Sequence, residues 1–389
     1  MKIITLTTLY PNNVKNGHGI FVEQRLRHLL EHHQDIVAEV IAPVPWFPFV
    51  SDKFGHYSDF AQVAKVEQRF GIRVSHPRYC LLPKIGMTLA PFMLVLAVYP
   101  LLKNKLKNGD NFDLIDAHYF YPDGVAAVIL GKLLKKPVVV TARGSDITLI
   151  PSFYWPRKMI VWAAQQATAI ITVCQDLKDK IVEFGISPAK IHALRNGVDL
   201  QFFMPEDRQQ ARAQLKLDRP TLLSVGHLVE LKGHHLIIEA MQSLPDYQLL
   251  IAGDGEEMLN LKKLANSFGV GGRVTFLGAI SHKQLVTVYS AADILVLASS
   301  REGWANVLLE AMACGTPVIA TKVSGTPEVV ASPKAGILVE RSAPAIVTAV
   351  RAMQKQMPLR QDTRAYTENY SWDATVHRIS ELFKNIVCG

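Results

Sequence analysis

Short β-branched runs alternate with longer helical patterns through the first half of the chain. They read "KIITLTTLY" (2–10), "GIFVEQRLRHLLEHH" (19–33), "AEVIAPV" (38–44), "DLIDAHY" (113–119), "GVAAVILGKLLKK" (124–136), "PVVVTARG" (137–144) and "AIITVCQDLKDKIVEFG" (169–185). Apolar strands followed by helical spacing are the rhythm of βαβ units around a parallel sheet. The second half repeats it in "RPTLLSVG", "GHHLIIEAMQSL", "YQLLIAGDG", "RVTFLG", "KQLVTVYSAAD", "ILVLASS", "NVLLEAMACG" and "TPVIATK". The pattern predicts an α/β chain of two doubly wound, Rossmann-like domains facing each other across a cleft. Turn chemistry in "LRNGVDLQFFMP" (194–205) marks the hinge, which divides the chain into 1–196 and 197–371. Ligands of open α/β sheets sit at the carboxyl ends of the strands, so the cleft is the expected site.

Length and composition agree with that division. At 389 residues the chain exceeds what one hydrophobic core sustains, and 49% hydrophobic residues can fill two. Cys80, Cys174, Cys314 and Cys388 are dispersed, without metal-binding spacing, which suits a reducing compartment. The opening "MKIITLTTLYPNN" reads as a first strand and not as a signal peptide, so a cytoplasmic location is expected.

Charge changes the picture in one respect. Residues 1–200 carry 23 Lys+Arg against 16 Asp+Glu, whereas the remainder is nearly balanced. A basic first half attracts nucleic acid, an anionic membrane face or an acidic substrate. No zinc-finger spacing or aromatic-basic motif supports nucleic acid, which is not expected as a partner. The uncharged stretch 85–102, "IGMTLAPFMLVLAVYPLL", approaches the length of a membrane span but is interrupted by Pro91 and Pro100. A span, a buried helix and a membrane-facing element at the inner face of the membrane all remain open for it.

The candidate chemistry lies at predicted strand ends. "ILVLASSREGWANVLLEAMACGTPVIAT" reads as strand, loop, helix and strand, with the helix opening at Asn306 and Val307. Free amides there, beside Gly303, Trp304 and Ala305, form a phosphate site. Glu302 before the loop and Glu310 inside the helix can each accept from vicinal sugar hydroxyls. Spacing alone is equally met by a loop-capping Glu302 and a Glu310 set against the helix dipole. Lys232 with Gly233, just before another helix, can neutralise a departing diphosphate, or is a solvated lysine beside a turn glycine. Gly253 and Gly255 mimic part of a dinucleotide fingerprint, but Met258 takes the third glycine position, so a tight turn beside a nucleotide suffices. Gly19 would let backbone approach a phosphate or sugar. His118 ends a strand with its ring expected to face the cleft. Arg143 and Asp146 end another strand, and pairing with each other is the competing account.

Together these segments resemble the retaining glycosyltransferases of family 4, whose fold is the two-domain GT-B type. Glu302 and Glu310, with seven residues between them, carry the resemblance most specifically. Lys232-Gly233, "AGDGEE", "VTFLG", "RNGVD" with Asn196, and the loop at Gly19 support it. The resemblance implies an N-terminal acceptor-side domain, a C-terminal nucleotide-sugar domain, and a closing helix over 372–389 that crosses back to the first. It implies that Glu302 contacts the donor sugar, Glu310 the ribose, Lys232 the diphosphate and the backbone around Leu277 and Gly278 the base. His118 would face the reacting centre. Retention follows from the resemblance alone. The chain departs from the pattern at His227, where arginine is common, at Arg143, where histidine is common, and at Ser324, where glycine is usual.

The expected activity is transfer of a hexosyl group from a nucleotide diphosphate sugar to a saccharide or lipid-linked acceptor, in polysaccharide or glycolipid assembly. The nucleotide sugar is a co-substrate, and no cofactor is expected. No D-x-D sequence occurs, so no metal is expected either. A nucleotide-sugar epimerase of the same fold and a non-catalytic nucleotide-sugar-binding subunit are the alternatives.

Overall fold

The computed structural model describes residues 1–51, 53, 56–81 and 86–389. The chain divides into two compact units, Met1–Asn196 with Asp373–Gly389, and Gly197–Trp372.

The first unit is built on strands Lys2–Leu6 (β1), Val37–Ile41 (β2), Val44–Pro45 (β3), Val66–Arg69 (β4), Ile72–Ser75 (β5), Arg78–Tyr79 (β6), Leu114–His118 (β7), Val138–Ala142 (β8), Ala169–Thr172 (β9) and Ile191–Ala193 (β10). Its main sheet runs β10-β9-β8-β7-β1-β2-β5-β4, and β3 pairs with β6 separately. Every residue of β7, β8 and β9 is buried, as expected of parallel strands covered on both faces. Polar β4 lies at the edge and pairs antiparallel with β5. The pattern reading offers nothing over this hairpin. Its signal was the alternation "VEQR" and "IRVS" around Phe70-Gly71, both at positive φ.

The second unit holds Thr221–Val225 (β11), Gln248–Ala252 (β12), Val274–Gly278 (β13), Ile294–Leu297 (β14), Val318–Thr321 (β15) and Gly336–Val339 (β16). They form one parallel sheet in the order β13-β12-β11-β14-β15-β16. Its core joins the apolar residues of β11, β12 and β14 to the helices His234–Ala240 and Ala343–Lys355.

In each sheet the chain starts in the middle and winds both ways. The switch in direction falls between β1 and β7 in the first unit and between β11 and β14 in the second. Neighbouring loops part at such a point and leave a crevice outside the carboxyl ends.

The stretch 85–102 is helical from Gly86 to Lys107, and residue 85 lies outside the described residues. Ala90, Leu94, Val98 and Leu102, four residues apart, are buried. The opposite face is also apolar, with Phe92 at 45% and Leu96 at 66% exposure. Pro91 and Pro100 stand inside the helix. Proline has no amide to give the carbonyl four residues earlier. The carbonyl freed by Pro91 is that of Met87, which accepts the Tyr121 hydroxyl instead. The closing helix Trp372–Cys388 is tied to the first unit by Asp373 to His32 (3.0 Å) and by Lys384 to Asp35 (2.8 Å).

Close backbone approach explains Gly233, Gly253, Gly255 and Gly336 of the second unit. A Cβ on Gly253 would lie 1.9 Å from the Gly226 carbonyl oxygen, at a φ of 147°. Gly272 has nothing within 4 Å. Gly253→Ala should therefore cost about 2 kcal/mol or more, read as a lowered Tm, while Gly272→Ala leaves Tm nearly unchanged.

Candidate active site

On one side of the switch point of the second unit the loops after β11, β12 and β13 are stitched together. The Gly226 amide donates to Ala252 (3.0 Å), and the Gly253 amide donates to the Gly278 carbonyl (2.8 Å). The β12–β13 register slips so that Ile251 faces Phe276 and Ala252 faces Gly278. Leu277 between them is left out of the pairing, a bulge of the kind that re-aims a chain beside a site. His227 is exposed, and its carbonyl accepts from the buried ring of His234 (3.2 Å). Burial pushes His234 down to about 4, and its other nitrogen meets Ser224 Oγ at 2.9 Å. His234 thus braces the loop as a neutral ring. Sequence reasoning missed it, although it follows Gly233 directly on the buried face of a helix.

Gly233 brings the turn Glu230–Lys232 hard against the end of β14. A Cβ there would lie 2.1 Å from the Ala298 oxygen, and the Ser300 amide donates to Leu231 (2.8 Å). This contact delivers Lys232 to Glu302: Nζ lies 2.6 Å from Oε1, which also accepts from Ser299 Oγ at 2.6 Å. Both side chains are mostly buried, at 22% and 10% exposure. Both bonds fall on Oε1.

The loop Gly303–Ala305 leads into the helix Asn306–Ala313, whose cap Ala305 has no side-chain bond. Trp304 is buried, with its ring 6.3 Å from that of Tyr370. The helix start is less open than the sequence suggested. The Asn306 and Leu308 amides are taken by the Trp304 and Ala305 carbonyls, because the entering loop turns tightly back on itself. Val307, half-buried, lies between them. Glu310 lies one turn further in, 9% exposed, with Oε2 accepting the Tyr289 hydroxyl at 2.8 Å.

In the first unit the carboxyl ends of β1 and β7 meet where Thr7 Oγ1 donates to the His118 carbonyl (3.3 Å). Gly19 (φ 67°) packs on its own loop, its missing Cβ falling 2.3 Å from the Leu9 carbonyl. The close approach expected there is to the chain itself.

His118 is only 1% exposed, so its ring is enclosed and not open as its position suggested. Nε2–H donates to Asp116 Oδ2 (3.0 Å), and Nδ1 accepts from the Arg143 guanidinium (2.5 Å). Burial pushes the imidazole down to about 4, which keeps it neutral in this tautomer. Burial would by itself raise the Asp116 carboxyl, but His118 and Arg25 override it and hold it below its ordinary value. Arg143 also donates to Asn196 Oδ1 (3.0 Å) and lies 5.0 Å above the Phe21 ring. Burial lowers it to about 9. Asp146 pairs with Arg143 through the main chain: its carboxylate accepts the amides of Arg143, Gly144 and Phe120. Arg25 was missed. It shares the stripe of Val22, Leu26 and Leu29, where a charge on a buried face was the available signal.

Among the described residues no group of three or more His, Cys, Asp or Glu is placed to hold a metal ion.

Burial raises the Glu310 carboxyl to about 7, against the Tyr289 hydrogen bond. A carboxyl raised in the folded state favours folding at low pH, and that contribution is lost as pH rises through the folded value. Glu310→Gln cannot ionise. It is expected to melt close to the wild type near pH 5 and above it at about pH 8. Thermal unfolding across that range checks this, and an offset that does not change with pH would contradict it.

The sequence profile of "Glycosyl transferases group 1" matches residues 205–370, and that of "Glycosyltransferase Family 4" matches 54–202. Relatives include the D-inositol 3-phosphate glycosyltransferase of Mycobacteroides abscessus, 37% identical over 45% of this chain and 41% of that protein. The D-inositol 3-phosphate glycosyltransferase 1 of Catenulispora acidiphila is 28% identical over 73% of this chain and 75% of that protein. The chain thus spans less than half the length of the first of these relatives. Sucrose-phosphate synthase from Thermosynechococcus elongatus shares the fold with a TM-score of 0.80, at 21% identity over 99% of both chains. HepE of Anabaena in complex with UDP-glucose does so with a TM-score of 0.74, at 20% identity over 99% of this chain and 100% of that one. Matched in both halves by profiles of these transferases and sharing their architecture from end to end, the chain belongs to glycosyltransferase family 4, with the GT-B fold.

Proposed function

We propose that this chain transfers a hexosyl group from a nucleotide diphosphate sugar to an acceptor hydroxyl, with retention of anomeric configuration and without a metal ion or cofactor. The observation that carries the reading is the Lys232–Glu302 pair, 2.6 Å apart at the switch point of the second unit. Without donor the ammonium and carboxylate satisfy each other. An arriving diphosphate competes for the ammonium, and the released carboxylate accepts from hydroxyls of the donor sugar. Negative charge then grows on the diphosphate as the anomeric bond breaks, and Lys232 is held where it stabilises that charge. The complexes of the Anabaena protein with UDP and UDP-glucose support a nucleotide donor.

His118 has both ring nitrogens engaged and is no acid or base. This favours a route in which the acceptor oxygen bonds to the anomeric carbon on the face the diphosphate leaves. The acceptor proton passes to the departing phosphate oxygen. The proposed site of action is the inner face of the membrane, on a saccharide or lipid-linked acceptor. Support comes from the helix Gly86–Lys107, where exposed Phe92 and Leu96 share a helical face with Lys103 and Lys107. Apolar residues with lysines at one end suit an anionic interface.

Lys232→Ala is expected to lower kcat at saturating donor about a hundredfold or more, whereas Glu310→Ala mainly raises the donor KM. Unchanged kinetics in both would remove them from the site. NMR of the product anomer tests retention, and activity abolished by a chelator and restored by magnesium would refute metal independence. Co-sedimentation with anionic vesicles should fall markedly in a Phe92→Ser, Leu96→Ser double variant and at high salt. Equal recovery with and without vesicles would reject the membrane site.

A further inference from the structure

A pocket of about 210 Å³ opens at the amino ends of β8 and β9, the opposite end of the first sheet from His118 and Arg143. The length of β8, about 16 Å, separates it from Arg143. Two helices end at it, Val125–Leu134, which closes on Lys135 at a φ of 54°, and Tyr154–Gln166. Lys132, Lys135 and Lys136 line it together with Gln166 and Thr168, and no carboxylate does.

None of the three ammonium groups has an ion pair or a hydrogen bond among the described residues. Two of them rest on aromatic rings instead, Lys132 at 5.3 Å from the centre of Trp162 and Lys136 at 5.3 Å from that of Phe112. Thr168 Oγ1 accepts the Val138 amide (3.1 Å), which leaves its own proton to give, and the Gln166 amide is likewise unspent. Elsewhere at this end of the sheet the cations are matched, Lys2 and Lys105 sharing Glu39 and Asp110. Part of the basic surplus of the first half of the sequence is thus left without carboxylates here.

Lysines at helix C-termini ordinarily answer the negative end of the helix dipole. That end is worth about half an elementary charge per helix, so two helices use about one of the three cations. Main-chain caps already serve both ends, the Lys136 amide donating to Gly131 (2.9 Å) and the Ala167 amide to Ala163 (2.8 Å). A positive charge of about two remains, in a recess smaller than the pockets that hold drug-sized ligands.

We infer that this pocket binds a phosphate monoester group, at a site on the first unit distinct from the Lys232–Glu302 pair of the second. Such a group carries a charge of about −1.5 to −2 at pH 7, which matches the surplus. The lysines supply the charge, and Thr168 and Gln166 donate to the remaining oxygens. A carboxylate, with one charge and two oxygens, would leave a cation and a donor unmatched. The group arrives on a soluble metabolite or on a lipid headgroup. The second source is open because Val125–Leu134 packs beside Gly86–Lys107, and both helices carry lysine in their last turn.

The test is calorimetric titration with glycerol 3-phosphate, beside flotation with vesicles containing phosphatidic acid or, at equal surface charge, phosphatidylserine. The wild type should bind glycerol 3-phosphate, or phosphatidic acid in clear preference to phosphatidylserine. The first result assigns a soluble source and the second, alone, a headgroup. Lys132→Gln and Lys135→Gln, both at exposed positions, should each weaken that binding about tenfold, the worth of one charged hydrogen bond. Gln166→Glu keeps the side-chain size but puts a carboxylate among the lysines, and should abolish it. Lys232→Ala should leave it unchanged. Silence in both assays, equal flotation with the two lipids and no glycerol 3-phosphate binding, or wild-type affinity in Gln166→Glu overturns the inference. Binding lost in Lys232→Ala alone would place the phosphate in the second unit and overturn it too, while leaving the transferase reading intact.

Discussion

A parallel sheet covered on both faces offers solvent little beyond the ends of its strands. Both units of this chain obey that constraint. In the second, Gly226, Gly253 and Gly278 close the strand ends into a mesh of main-chain hydrogen bonds, and Gly233 lets a turn lie directly on the end of β14. Without the second contact Lys232 would have no fixed path to Glu302. The chemistry of the site is thus a by-product of how tightly four loops pack where the winding of the sheet reverses.

The two units spend charge differently. The second keeps one ammonium and one carboxylate near the surface, where each can change partner when an anion or a hydroxyl arrives. The first buries two guanidinium groups, a carboxylate and an imidazole in one connected network, with the Arg25–Asp116 separation still at 3.7 Å. Such a network loses heavily if one member is removed, because the others are left charged without water. It acts as scaffold, fixing the tautomer of His118 and the position of Asn196, the last residue before the chain leaves the unit.

Much of this was legible in the sequence for physical reasons. Strands buried on both faces must be continuously apolar, so β7, β8, β11 and β14 stood out, and Gly315 and Pro317 gave a clean stop to the helix that opens at Asn306. The two glutamates and Lys232 were visible as charged residues at strand ends. What could not be read was the third dimension of the pairing. Spacing along the chain does not reveal that Lys232 meets Glu302 across seventy residues. Nor does it reveal that Arg143, three positions from Asp146, sends its side chain to His118 and leaves the carboxylate to main-chain amides. Arg25 and His234 escaped because buried polar side chains hide among apolar periodicities, and only their partners explain them.

The two prolines of the helix Gly86–Lys107 each take one donor out of its hydrogen-bond ladder. Pro91 releases a carbonyl that Tyr121 collects, but the one released by Pro100 belongs to Leu96, on the outward face. Water or a lipid headgroup can serve that oxygen, while acyl chains cannot, and stranding it there would be costly. An uncharged stretch close to the length of a membrane span thus has a hydrogen-bond ladder that is one donor short at Pro100, on the turn that carries Leu96.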